Sequence, residues 1–151
     1  MTTWRDVEEA VPEFAERVRK IFDAHKHKTI ATLRAGGGPR ISGIEAEFDG
    51  GELTFGSMSR ARKGADLHRD PRFALHSPSV DPPEGDPAGW AGDAKIAGRA
   101  VPAGSVGEGT DGELFRADID EVVVTGLNAE ATMLVIESWT PGGGLRRIER
   151  E

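Results

Sequence analysis

The sequence predicts a mainly β protein, an antiparallel β-barrel of six to eight strands with peripheral helices. From residue 29 onward, short apolar or alternating segments are separated by turns rich in Gly and Pro. Helical periodicity is confined to residues 3–25 and 60–69. A chain of 151 residues with 37% hydrophobic content suits one hydrophobic core. Such regular turn spacing is typical of a small closed or half-closed barrel.

The first predicted element is a helix over residues 3–25. Thr3 is placed to cap its first turn, with Asp6 three residues later. Pro12 falls inside the pattern, so it either begins a second helix or kinks a single one. The segment "HKHK" (25–28) is expected to close the element with cations near its negative end. The apolar spacing of three and four that predicts the helix comes from Val7, Val11, Phe14, Val18, Ile21 and Phe22.

The next three strands are predicted to form a meander. The strands are separated by the turns "AGGGPR" and "DGG" and cover residues 29–34, 41–48 and 52–57. Alternation in the middle strand assigns Ser42, Ile44, Ala46 and Phe48 to one face. Glu45 and Glu47 lie on the other face, where they either line a groove or form a solvated surface.

The second half continues the β pattern after one short helix over residues 60–69. "DPR" (70–72) stops this helix, because the residue before a proline disfavours the helical conformation. The segment 108–115 is read as a turn with a short helical piece. A long loop is predicted over 78–93, and the remaining strands are predicted at 73–77, 94–101, 119–127, 132–139 and 145–149.

Composition excludes several function classes. The 19 Lys and Arg against 26 Asp and Glu leave a net charge of −7, which disfavours nucleic-acid and anionic-membrane partners. With no Cys, there is no disulfide, thiol nucleophile or thiolate metal site. We expect no metal centre, because His25 and His27 are spaced poorly for joint ligation. No signal peptide or membrane span is apparent, so a cytoplasmic location is expected.

The stretch "GSMSRARKGADLHRDPRFAL" (56–75) is the candidate binding segment. A helix N-terminus exposes unpaired N–H groups, and Ser57 and Ser59 add hydroxyl donors beside it. Arg62 and Lys63 add a guanidinium fork and an ammonium. These groups can cradle a phosphate or a carboxylate. The alternative is a solvated, charged helix face, and the residues alone leave the two hypotheses even.

The order of motifs in this stretch resembles the FMN-binding split-barrel family of pyridoxamine 5′-phosphate oxidase. A strand ending in "GS", then "RK", a helix, "DPR" and the strand "FAL" follow the family's order. The likeness extends to "KTIATLRAGGGPRISGIEAEF", "DAKIAGRAV" and "IESWTPGGGLRRIER", and covers residues 26–150. It implies a split barrel over 26–151, with residues 1–25 packed on it as a helical segment.

The resemblance implies a cofactor site built from Gly56, Ser57, Ser59, Arg62 and Lys63. The pair Arg62 and Lys63 matches the family's FMN-phosphate ligands, and Trp139 and Arg147 match closing-hairpin residues near the cofactor. FMN is therefore the expected cofactor, with the deazaflavin F420 as the alternative. The family also implies a homodimer with the cofactor between subunits, and an oxidoreductase acting on a small molecule. No catalytic residue is assigned.

Two departures from the oxidase pattern keep other functions open. The family's Arg and Lys on the second strand fall here near Ile41 and Ala46, and Asp93 stands where the oxidase has Gln. A literal vitamin B6 oxidase is therefore not expected. One alternative is a protein that binds a phosphorylated ligand without turnover. Another is a dimeric barrel that keeps the fold without a cofactor.

Overall fold

The computed structural model describes residues 1–151 as three α-helices and eight β-strands. The helices are α1 (Trp4–Ala10), α2 (Pro12–Phe22) and α3 (Arg62–Arg69). The strands are β1 (His27–Leu33), β2 (Pro39–Asp49), β3 (Glu52–Ser57), β4 (Arg72–His76), β5 (Asp93–Ser105), β6 (Glu113–Leu127), β7 (Leu134–Thr140) and β8 (Gly144–Arg150). No helix has the length and apolar character needed to cross a bilayer.

The N-terminal region contains two helices, because Pro12 begins α2 rather than kinking a single helix. Thr3 caps α1 in a capping box with Asp6, as predicted. The expected end of the helix in "HKHK" is wrong, since α2 stops at Phe22 and β1 begins at His27. Lys28 is buried, and its ammonium donates to the carbonyls of His25 and Lys26 instead of facing solvent.

The eight strands form one antiparallel sheet that closes into a six-stranded barrel. Their order is β3-β2-β1-β4-β5-β6-β7-β8, and an additional β3–β6 pairing closes the barrel. The predicted meander of β1, β2 and β3 is confirmed. The mainly β, split-barrel prediction is therefore correct, with β7 and β8 extending the sheet beyond the barrel.

Strand β6 provides one edge to two different partners. Its first residues pair with β3, from Glu113 opposite Ser57 to Arg116 opposite Thr54. Its last residues, 122–127, pair with β7 along the same edge. Between these two pairings the N-terminus enters, where Ile119 N donates to Thr2 O. The barrel is split where the pairing along this edge of β6 changes from β3 to β7, and the start of the chain lies between the two strands.

The hydrophobic core joins the barrel interior to the N-terminal helices. Trp4 packs against Phe48 with ring centroids 4.6 Å apart, and Phe22 meets the same ring edge-on. Inside the barrel, Phe55 contacts Phe73 and Phe115. Phe48, Phe55 and their four aromatic partners are all buried, so one continuous core holds helices and strands together.

Three local expectations differ from the structure. The segment 108–115 has no helical piece, because β6 begins at Glu113 and pairs there with β3 and β5. Helix α3 begins at Arg62 rather than residue 60, since Arg60 has a φ of +63° and Ala61 is extended. Strand β5 runs to Ser105, well beyond the predicted end at residue 101, because it forms a long ladder with β6.

Asp66 fastens α3 to the barrel. The residue is only 2% exposed, and its carboxylate accepts hydrogen bonds from Thr32 on β1 and Arg40 on β2, each at 2.7 Å. Arg69 donates at 2.8 Å to the same carboxylate and at 2.9 Å to Leu33 O. Burial raises the pKa of Asp66, but the hydrogen bonds from Arg40, Thr32 and Arg69 outweigh it and lower the pKa to about 2.

We predict that Asp66→Asn destabilises the fold by about 3 kcal/mol, because Arg40 would then be held close to a neutral amide. The measurement is guanidinium unfolding of the variant and the wild type. Glu16→Gln is the matched control, since Glu16 forms an exposed pair with Lys20 and should change stability by at most about 0.5 kcal/mol. A cost for Asp66→Asn as small as the control's would contradict the role of this carboxylate.

The depressed pKa of Asp66 also predicts how acid weakens the fold. A carboxyl group with a lower pKa in the folded state stabilises fully above its ordinary value of 3.8. That contribution is lost as the pH falls toward about 2. The wild type should therefore lose more stability than Asp66→Asn between about pH 5 and pH 2. Parallel unfolding curves over this range would show that Asp66 is not responsible.

Candidate functional site

A groove of about 1080 Å³ lies on the outer face of β2 and β3. Its floor is made by outward-facing residues of the two strands, including Gly43, Thr54 and Gly56. One end is bounded by the loop after β3, with Met58 and Ser59, and by the β5–β6 connection near Val106. The groove is large enough for an organic molecule of cofactor size.

The loop from β3 to α3 leaves the start of α3 without a side-chain cap. Ala61 is the N-cap, and no side chain caps the first backbone N–H groups. Arg60 adopts the left-handed region with φ +63°, which turns the chain so that Ala61 N donates to Met58 O. A strained non-glycine residue beside uncapped amides is a feature found at anion-binding loops.

Gly64 allows α3 to approach β3 closely. A Cβ added at Gly64 would lie 2.8 Å from Ser57 Oγ and 3.4 Å from Ser57 Cβ. Ser57 is buried, and its hydroxyl donates to Met58 O at 3.3 Å. The missing side chain therefore lets the first turn of α3 lie directly over the end of β3, at the edge of the groove.

The structure brings together only part of the predicted site. Four of the seven expected residues line the groove: Gly56, Ser57, Ser59 and Lys63. Arg62 is exposed next to Lys63 but does not line the groove. Trp139 is buried in the core and pairs with Leu145, and Arg147 is exposed and forms an ion pair with Glu149 at 2.9 Å. Neither closing-hairpin residue lines this groove.

Three further basic residues of the 56–75 stretch have structural partners. Arg69 belongs to the Asp66 cluster, and Arg72 forms a bidentate pair with Asp70, whose pKa its hydrogen bonds lower to about 2. His68 Nε2 lies 2.6 Å from Glu113 Oε2, which ties the second half of α3 to the start of β6. Of the lysines and arginines in this stretch, Lys63 is the one that lines the groove.

The groove is more acidic than the sequence pattern predicts. The lining includes Glu45, Glu47 and Asp49 of β2, Glu52 of β3 and Asp111. Alternation had already placed Glu45 and Glu47 on one strand face. Only the antiparallel register, which sets Glu47 opposite Thr54 and Asp49 opposite Glu52, shows that both strands contribute carboxylates to the same wall. Both earlier hypotheses for these glutamates hold, since they are exposed and also line the groove.

The groove is therefore divided by charge into two ends. The cradle end carries uncapped α3 amides, Ser59 and Lys63, which suit one phosphate group. The acidic wall, formed by Glu47, Asp49 and Glu52, carries carboxylates that repel further negative charge. These residues fit a ligand with a single phosphate at one end and an uncharged or cationic body.

The structure is similar to solved structures of one fold. A pyridoxamine 5′-phosphate oxidase-related, FMN-binding protein from Nostoc punctiforme has a TM-score of 0.62 at 13% identity, over 100% of this chain and 98% of that one. An F420 reductase has a TM-score of 0.55 at 14% identity, over 69% and 94%. A heme-binding protein from Mycobacterium smegmatis has a TM-score of 0.53 at 16% identity, over 89% and 86%.

These similarities establish the split-barrel fold expected from the motif order. The similar structures bind different groups, so the fold by itself does not select the cofactor. No family model and no curated protein matches the sequence.

The contact between Gly64 and Ser57 generates a prediction with an internal control. Gly64→Ala should destabilise the protein by about 1 kcal/mol, because the new methyl group meets the buried Ser57 hydroxyl. In a Ser57→Ala background the same change should become neutral or stabilising, since Ala favours a helix by about 1 kcal/mol over Gly. Thermal unfolding of the four proteins measures this. An equal cost in both backgrounds would mean that the hydroxyl is not the obstacle.

Proposed function

We propose that the protein binds FMN in this groove and acts as a flavin-dependent oxidoreductase on a small molecule. The observation that carries the proposal is the junction of β3 and α3, where the uncapped helix start, Ser59 and Lys63 open into a groove of about 1080 Å³. The motif order that resembles the FMN-binding split-barrel family and the FMN-binding protein of the same fold both support it.

The bound FMN would supply the redox chemistry. The residues of this chain would bind its phosphate and orient the rest along β2 and β3. Lys63 and Ser59 offer charge-assisted and hydroxyl hydrogen bonds, and the α3 amides add the partial positive charge of a helix start. Arg62, exposed one residue before Lys63, would add a longer-range attraction. No acid–base pair is needed for binding and orientation.

The acidic wall favours FMN over F420. FMN carries one phosphate group, whereas F420 extends from its phosphodiester into a tail with several carboxylates. Glu47, Asp49 and Glu52 would repel such a tail if it lay along the strands. The electrostatics thus support the single-phosphate cofactor, although an F420 reductase shares the fold.

A homodimer with the cofactor between subunits is part of the same proposal. The groove lies on an outer sheet face, and β2 exposes Ile41 to 73% on this side of its alternation. A second copy placed against this face would shield both Ile41 and the cofactor from water. We also propose that the protein works in the cytoplasm.

The test of FMN binding begins with the visible spectrum of freshly purified protein and a thermal melt with added FMN. If the proposal is correct, the protein is yellow or takes up FMN. Saturation about a hundredfold above Kd should then stabilise it by about 2.7 kcal/mol. F420 should give a smaller shift. The absence of a shift with either cofactor would contradict the redox proposal, and FMN that binds but is never reduced would indicate a non-catalytic binding protein.

The variant Lys63→Ala should weaken FMN binding by ten- to a hundredfold, or about 1.4 to 2.8 kcal/mol, because a charge-assisted hydrogen bond is lost. Arg62→Ala should cost less, since Arg62 does not line the groove. Lys95→Ala is the matched control, because Lys95 is exposed on β5 and does not line the groove. An unchanged affinity for FMN in Lys63→Ala would show that the phosphate binds elsewhere.

A further inference from the structure

We infer that the molecule that enters the groove beside the cofactor is a small organic cation, an ammonium with an apolar body. The inference rests on the proposed function for the cofactor's place at the cradle end. It goes further in naming the charge and shape of the substrate, and it depends on carboxylates and apolar side chains of the groove that are not assigned to the phosphate.

The acidic wall consists of Glu47, Asp49 and Glu52, which line the groove along β2 and β3. None of the three forms a salt bridge in the structure. Asp111 adds a fourth carboxylate from the β5–β6 connection. The wall therefore presents carboxylates without salt-bridge partners to a molecule that enters the groove.

The cations near the wall are engaged with other groups. Lys26 and His27 both lie 3.6 Å from Glu45, and they offset that carboxylate rather than the wall. At the hairpin between β2 and β3, Arg5 donates to Gly50 O, and Arg19 donates to Phe48 O. Lys63 is assigned to the cradle. Neither these side chains nor Arg116, which lies opposite Thr54 on β6, forms a salt bridge with Glu47, Asp49 or Glu52.

The register of β2 and β3 keeps like charges together. Asp49 lies directly opposite Glu52, and Glu47 is the next outward residue on β2. Directly opposed residues have Cβ atoms about 5 Å apart, so two carboxylates in these positions repel each other. Glu52 Oε2 is in addition buried without a hydrogen-bond partner, which is rare for a carboxylate oxygen. A bound ammonium would relieve the repulsion between these carboxylates.

Apolar side chains at the end of the groove near the β3–α3 loop account for the apolar body. Met58 is 81% exposed and Val106 is 54% exposed, and both line the groove together with Leu114. Exposed apolar side chains that converge on one cavity indicate a surface that a ligand covers. A ligand with a charged head toward the wall and an apolar part toward Met58 and Val106 satisfies both sides.

The test compares three probes of similar size and different charge: benzylammonium, benzyl alcohol and benzoate. Each is titrated into the protein, with and without saturating FMN, while the backbone amide NMR signals of the groove are followed. At low salt, benzylammonium should bind about tenfold more tightly than benzoate and shift the Glu47 and Thr54 signals. The preference should shrink at about 1 M salt, where the screening length is about 3 Å.

The variant Glu47→Gln/Asp49→Asn should reduce the preference to within about twofold, because two of the wall's charges are removed. Glu13→Gln/Glu16→Gln, which removes two acidic groups from α2, is the matched control and should retain the preference. Equal binding of the three probes by the wild type would overturn the inference.

The two proposals can fail separately. If FMN does not bind but benzylammonium is still preferred by the unloaded protein, the cofactor assignment is wrong and the cationic selectivity of the wall stands. If FMN binds but the three probes bind equally, the proposed function stands and the substrate inference is wrong.

Discussion

The architecture depends on how strand β6 shares one of its edges. Its first residues pair with β3 to close the six-stranded barrel, and its last residues pair with β7. Each backbone N–H and C=O group along this edge of β6 can pair with only one neighbouring strand. The pairing with β3 therefore has to end before the pairing with β7 begins. The chain start occupies the interval between them through Ile119 N and Thr2 O. The placement of the groove follows, because it forms on the outer face of β3 and its neighbour β2.

Barrel closure alone would not position the binding loop. Asp66 does so, because its buried carboxylate holds α3 against β1 and β2 through Thr32 and Arg40. Gly64, two residues earlier, lets the start of the helix lie over Ser57. A short helix has little intrinsic stability, so these tertiary contacts determine where its uncapped amides point. The position of the cradle therefore depends on the contacts that Asp66 and Gly64 make within the same helix.

Charge then divides the groove that packing creates. The α3 amides and Lys63 are positive at one end, and the acidic wall is negative along the strands. Half of the basic residues in the 56–75 stretch are paired with acidic residues: Arg69 with Asp66, Arg72 with Asp70, and His68 with Glu113. A count of charges along the chain therefore overstates the attraction for anions, because Lys63 is the one lysine or arginine that lines the groove.

The sequence alone determined the β-barrel class, the meander of β1 to β3, the cap at Thr3 and the order "GS", "RK", "DPR" around α3, because these rest on local periodicity, turn chemistry and motif order. It left the role of Pro12 open and did not predict the strand at the end of the segment 108–115, where residues 113–115 pair with distant strands. It also could not decide which candidate residues meet. Gly56, Ser57, Ser59 and Lys63 line one groove, but Trp139 faces the core, and Asp49 opposes Glu52 only through the strand register. Register and burial are properties of the closed barrel, which is why the tertiary structure had to settle them.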